Sequence, residues 1–192
     1  MDNRAYINGY IKRAQEAQRE FERMSQYQVD NAVRIIAKAV YDNAEFLAQI
    51  AVTETGMGNI IDKTAKNRQK AKMIWSHLKG KKSRGVLDTD ETTGITRIAK
   101  LVGVVAAITP CTNPIVTPMS NAMFALKCGN AIIITPHLSL IHICSCICLS
   151  DLHPSASRRS PCILLNDLLL ILWSIGIFCF PWRAVRVWTD KR

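Results

Sequence analysis

No glutamate follows Glu91, and residues 138–192 contain a single glycine, Gly176, and a single lysine, Lys191. The same stretch holds five of the seven cysteines and three of the four tryptophans. One domain rarely changes composition so sharply. Two unlike pieces are therefore expected, 1–137 and an apolar, basic tail over 138–192 with no predictable fold. The first 25 residues lack an apolar run, so no secretory leader is expected and the location expected is cytoplasmic. That argues against a secreted disulfide scaffold. No GxGxxG or Walker loop occurs, so the usual phosphate-cradling fingerprints are missing. Cys144, Cys146 and Cys148 form a CxCxC run, but no second Cys/His pair has zinc spacing. No metal site is expected. Lys79, Lys81, Lys82 and Arg84 cluster without interleaved Phe or Tyr. They read as a solvated turn rather than a nucleic-acid platform.

What remains is ample for a core. The 192 residues are 48% hydrophobic, with a net charge of +10. Residues 3–25 read as a helix, with Ile7, Ile11, Ala14, Ala17, Phe21 and Met24 at three- and four-residue steps. Val29, Val33, Ile36, Val40, Leu47 and Ile50 mark a second helix that Gly56 can end. A third runs from about Ile60 to Lys79, with Gly80 at its C′ position. Residues 83–100 read as a loop and a strand near Ile95 to Ile98.

Leu101 to Thr109, LVGVVAAIT, is a Val- and Ile-rich run expected to be a strand buried on both faces. Pro110 ends it. Pro114 suits the first turn of a helix over residues 115–128, which Cys128-Gly129-Asn130 stops. Ala131 to Thr135 is a second buried strand, closed by Pro136. Strand, helix, strand at this spacing is a βαβ unit with parallel strands. The fold class is α/β: N-terminal helices, then the first βαβ of a Rossmann-like parallel sheet. Ligands in such sheets bind beyond the carboxyl ends of the strands. Thr109 to Asn113 and Thr135 to His137 lie there and are the site candidates by pattern alone. Taken bare, Asn113 reads as a helix cap before Pro114.

Val102 to His137, VGVVAAITPCTNPIVTPMSNAMFALKCGNAIIITPH, resembles the aldehyde dehydrogenase superfamily. The strand-turn ending in TNP, and PH after the second strand, are similar to its CoA-acylating branch rather than to the PWNFP…KPS branch. Asn43 to Gly58, NAEFLAQIAVTETGMG, is similar to the family's second helix. The resemblance covers about residues 3–137. It implies oxidation of a small aldehyde to its acyl-CoA through a cysteine thioester, with NAD or NADP as acceptor and CoA as co-substrate. It also implies a homo-oligomeric parent. Asn113 matches the asparagine whose amide holds the oxyanion, a neutral donor meeting developing negative charge. Ile108, Thr109, Pro110, Cys111 and Thr112 match the turn at the nicotinamide end. Thr135, Pro136 and His137 match the strand end near the adenosine ribose; His137 stands where the other branch has Lys.

Family members are more than twice this length, and their nucleophilic cysteine lies past position 137. The expectation is therefore an inactive N-terminal fragment. Cys111 lies on the turn, away from the family's nucleophile position, and Cys128 is expected to pack. Leu138 to Ile143, LSLIHI, is similar to an in-frame translation of a sequencing-library transposon end. The tail is accordingly expected to be adapter or out-of-frame translation. A different class of reading is a small basic membrane-associated helical protein without catalysis. Leu168 to Trp182 is uncharged, but its 15 residues fall short of a span, which needs about 20.

Overall fold

The computed structural model describes residues 3–135, 137 and 177–179. The readings of Pro136 and of the tail, apart from 177–179, lie outside the described residues. Four helices come first: α1 (Asn3–Glu22), α2 (Gln26–Asp42), α3 (Ala44–Thr55) and α4 (Ile60–Leu78). A hairpin follows, β1 (Val86–Asp90) with β2 (Ile95–Ile98). The βαβ unit is β3 (Val104–Ile108), α5 (Val116–Lys127) and β4 (Ala131–Thr135). β3 and β4 are parallel, with Val104 opposite Ala131 and Ile108 opposite Thr135. A short strand, β5 (Ile177–Cys179), lies parallel to β4 on its other edge.

Local chemistry sets the helix ends. Ser25 and Gln28 form a capping box at the start of α2: each side chain bonds the other's backbone N–H. Asn43 splits the expected second helix in two. Its backbone N–H and its side-chain amide both donate to the Ala39 carbonyl, at 3.1 and 2.9 Å. An Asn amide competes with the helical ladder in this way. Gly56 ends α3 at φ 65°, and Gly80 follows α4 at φ 76°.

The sheet is covered on both sides, unequally. Ile132 and Ile134 of β4 point toward α5, α2 and α4, among Val29, Val33, Met123 and Leu126. Ala131 and Ile133 point the other way, toward α1 at Ala14, Tyr6 and Tyr10. This period-2 alternation buries β4 on both faces. β3 departs from the expectation. Val105 and Ala107 pack inward, but α1 reaches only as far as Val104, and Ile108 is 84% exposed. On α1 itself, Ile7 and Ile11 face solvent, while Tyr10, Ala14 and Phe21 make the inner stripe. Tyr6 and Tyr10 meet edge to face at 5.2 Å, with the Arg13 guanidinium 4.5 Å from the Tyr10 ring.

Two buried polar side chains tie these layers. Asn130 accepts through Oδ1 from the Val102 and Gly103 N–H groups, at 2.7 and 2.9 Å, and so joins the amino ends of β3 and β4. Lys127 of α5, its side chain 4% exposed, pairs with Asp30 of α2. The same Asp30 oxygen accepts from Gln26 Nε2 at 2.9 Å, and Gln26 Oε1 accepts from Ser83 N at 2.9 Å. The cluster expected to be a solvated turn contains one structural residue. Arg84 donates to the Phe21 and Glu22 carbonyls, both at 2.7 Å, closing the end of α1.

Removing one partner of a buried pair strands the other charge, at a cost of about 3–5 kcal/mol. Asp30→Ala should lose stability on that scale in urea unfolding, and Asp30→Ala combined with Lys127→Met should recover most of it. Equal stability of Asp30→Ala and the unmodified chain would show that the pair does not hold α5 to α2.

Candidate active site

The carboxyl ends of β3 and β4 meet at one seam. Thr109 donates to the Thr135 carbonyl twice, from its backbone N–H at 3.0 Å and from Oγ1 at 3.3 Å. Thr109 is buried, so its side chain belongs to the seam rather than to a ligand. Around it Ile108, Pro110, Thr112 and His137 are exposed. Cys111 is half-buried against Leu47, Ala51 and Ile115, a cluster built on α3. Cys128 lies at the opposite end of α5 and is exposed, where packing was expected.

Asn113 sits in the turn before α5. Its backbone carbonyl accepts from Thr117 N at 3.2 Å, but the N-cap is Ile115 and no side-chain cap bond forms. Its side chain does something else: Oδ1 accepts from Lys66 Nζ of α4. A lysine ammonium only donates, so this contact fixes which way the carboxamide faces. The oxygen meets the lysine, and the Nδ2 donors point elsewhere, with no partner among the described residues. A neighbouring lysine, Lys63, donates to the Thr112 carbonyl at 3.4 Å. A Cβ on Gly58 would lie 3.3 Å from Lys63 Cε, so glycine there leaves the lysine its path.

The two lysines are the residues the sequence reading missed. They lie 49 and 47 positions from Thr112 and Asn113, and only the packing of α4 against the turn brings them together. A signal existed, two lysines one turn apart on the same helix, but it is common on solvated faces. Burial, and then the Lys66 charge, hold the Lys63 ammonium below the usual lysine range. Among the described residues no group of three or more His, Cys, Asp and Glu side chains could hold a metal, and no helix is long and apolar enough to cross a membrane.

Parallel strands joined by a crossover helix, open at their carboxyl ends, define a Rossmann-like α/β unit. The aldehyde dehydrogenase family model matches residues 2–149, running past His137, and the chain belongs to that family. It is 48% identical over 137 residues to a succinate-semialdehyde dehydrogenase (acetylating) of Clostridium kluyveri, covering 71% of this chain and 30% of that protein. It is 44% identical over 154 residues to a sulfoacetaldehyde dehydrogenase (acylating) of Cupriavidus necator, covering 79% of this chain and 31% of that protein. Among solved structures, an acetylating aldehyde dehydrogenase from Geobacillus thermoglucosidasius superposes with a TM-score of 0.70 at 38% identity, covering 72% of this chain and 31% of that one. The chain thus spans about 30% of the length of the curated relatives it matches.

The lowered Lys63 pKa has a measurable sign. The folded chain holds fewer protons than the unfolded one between the folded and unfolded values, so this group's contribution to stability rises with pH across that window. In competitive amine labelling read by mass spectrometry, Lys63 should begin to react at lower pH than the exposed Lys72. Lys66→Gln should move that onset back up. An onset unchanged by Lys66→Gln would remove Lys66 as a cause.

Proposed function

We propose that residues 3–137 are the N-terminal helices and first βαβ unit of a CoA-acylating aldehyde dehydrogenase that oxidises a small aldehyde to its acyl-CoA. The observation that carries this reading is the Asn113 carboxamide, oriented by Lys66 with its donors unspent at the carboxyl end of the sheet. Attack on an aldehyde carbonyl by a thiolate leaves negative charge on oxygen. An N–H donor already turned toward that oxygen stabilises it without reorganising. The named relatives support the reaction class. Succinate semialdehyde and sulfoacetaldehyde are both small aldehydes with an anionic far end.

The residues at the strand ends fit a dinucleotide. Ile108 and Pro110 offer exposed apolar surface beside the seam, and Thr112 and His137 offer exposed polar groups. When bound there, NAD or NADP supplies the hydride acceptor. Ile108, Pro110, Thr112 and His137 would hold it, with Thr109 and Thr135 keeping the two strand ends in register. CoA is the acyl acceptor in this reading.

The chain by itself is read as inactive. Cys111 packs on the α3 cluster and Cys128 is at the far end of α5, so neither is set to attack a carbonyl held by Asn113. A reactive thiol also needs a neighbour that lowers its pKa. Residues 138–192 are read as a foreign tail on their change in composition, although the family match runs to residue 149 and Ile177–Cys179 pairs with β4. Continuous genomic coverage through codon 192 would overturn that boundary.

Two assays test the proposal. The 192-residue chain given acetaldehyde, CoA and NAD(P)+ should form no NAD(P)H, and turnover would overturn the inactive reading. In the full-length gene product containing this segment, Asn113→Ala should lower kcat about 10²–10³-fold, the usual loss for one oxyanion donor. A loss under tenfold would remove Asn113 from the reaction.

A further inference from the structure

Lys63 and Lys66, like most basic residues of the described fold, have no acid, and both reach the turn before α5. Among those residues the ion pairs are Lys38–Asp42, Arg97–Asp88 and Lys127–Asp30. Lys63 and Lys66 instead donate to two neutral oxygens, the Thr112 carbonyl and Asn113 Oδ1. The nearest acid in sequence, Asp62, is engaged at the amino end of α4: its Oδ2 accepts from Asn59 Nδ2 at 2.6 Å and its N–H donates to Asn59 Oδ1 at 2.8 Å. Two like charges held together, one of them partly buried, form an arrangement that an anion would relieve. Burial first, and then the Lys66 charge, lowers the Lys63 pKa.

We propose that Lys63 and Lys66 seat the anionic end of the substrate, so that the enzyme takes small aldehydes bearing a carboxylate or sulfonate a short carbon spacer from the carbonyl. This rests on the reading of Asn113 given above. One carboxamide links the two ends of such a molecule: Oδ1 meets the Lys66 ammonium while Nδ2 meets the reacting oxygen. A group bound at the lysines therefore sits within a short spacer of the carbon under attack. Holding both ends fixes the carbonyl in place for attack, the gain that orientation provides. A phosphate of CoA or of the dinucleotide is the competing source of negative charge. Lys66 meets Asn113 Oδ1, on the carboxamide assigned to the reacting oxygen, and Lys63 engages only the backbone carbonyl of Thr112, not the side chain offered to the dinucleotide. That favours the substrate.

The test uses the full-length gene product, with succinate semialdehyde and butyraldehyde as charged and uncharged substrates of equal carbon number. Lys66→Gln should lower the ratio of their kcat/KM values about tenfold or more, the scale of one charge-assisted hydrogen bond. Lys66→Arg should keep most of that ratio, and added salt should lower it in the unmodified enzyme. Lys66 is exposed, so its loss leaves the core intact. An unchanged ratio overturns the proposal. So does a rise confined to the KM for CoA or NAD(P)+, which would assign the lysines to a cofactor phosphate. If the unmodified enzyme oxidises neither aldehyde, the acylating reading itself fails and takes this one with it.

Discussion

Lys127 enters the core from α5 with an ammonium largely removed from water, and Asp30 on α2 makes that position tolerable. A lone buried ammonium costs several kcal/mol even after relaxation, so the helix that carries it must dock where a carboxylate waits. Few other contacts leave so little choice. Leucines and valines can slide past one another by a residue at modest cost, because hydrophobic attraction has no direction. An ion pair cannot. Through Asp30 the constraint spreads to Gln26, and through Gln26 to Ser83, so α5, α2 and the segment before the hairpin are tied in one polar chain. α5 is also the crossover between β3 and β4. Placing it on α2 therefore places the sheet on the helical layer, and with it the turn that α4 touches.

The two ends of the sheet are held by different means, and the difference matters for chemistry. At the amino end Asn130 satisfies two backbone donors from its own buried side chain. That end is tied by a side chain, with Val102 beside it 86% exposed. At the carboxyl end Thr109 and Thr135 close the seam between the strands, while Ile108, Thr112 and His137 face outward. A surface with its strands joined beneath and side chains open above suits a ligand better than a packed core. The bare outer face of β3 belongs to the same end. α1 packs on Val104, and Ile108 beyond it leaves apolar surface at the site, as Val102 does at the other end.

Much of this was legible in the residues, and what was not has a common cause. The βαβ unit and its limits were written in local signals: two β-branched runs, a proline after the first, and Gly129 with positive φ after the helix. The caps at Gly56 and Gly80 were legible for the same reason. Periodicity also found the helices, but not their faces. In α1 it chose Ile7 and Ile11, whereas the sheet prefers the larger amphipathic surface of Tyr6 and Tyr10. The Asn43 break was hidden because an apolar stripe continues across it. β1 went unseen because Val86 to Asp90 is mostly polar and pairs only with its own hairpin partner. Asn113 was found through a motif, yet the group that orients it lies on another helix. Nothing local to a turn records which lysine will lie over it.

The net charge of +10 takes on a different meaning once individual residues are placed. Read as a total, it suggests a polyanion. Read residue by residue, Lys127 is neutralised inside the core, and Arg84 serves the carbonyls at the end of α1. Lys38 and Arg97 have acids on their own elements or across a hairpin. Each of these already has an oxygen partner within the fold. Lys63 and Lys66 differ in being two charges one turn apart that both reach the turn before α5, where they meet neutral oxygens. Keeping two ammoniums close with no counter-charge costs stability in the empty protein. The same arrangement lowers the free energy of any anion that completes it, as expected where a fold gives up stability for binding. The placement of two charges, rather than the sum of all of them, is where this chain's basic character bears on function.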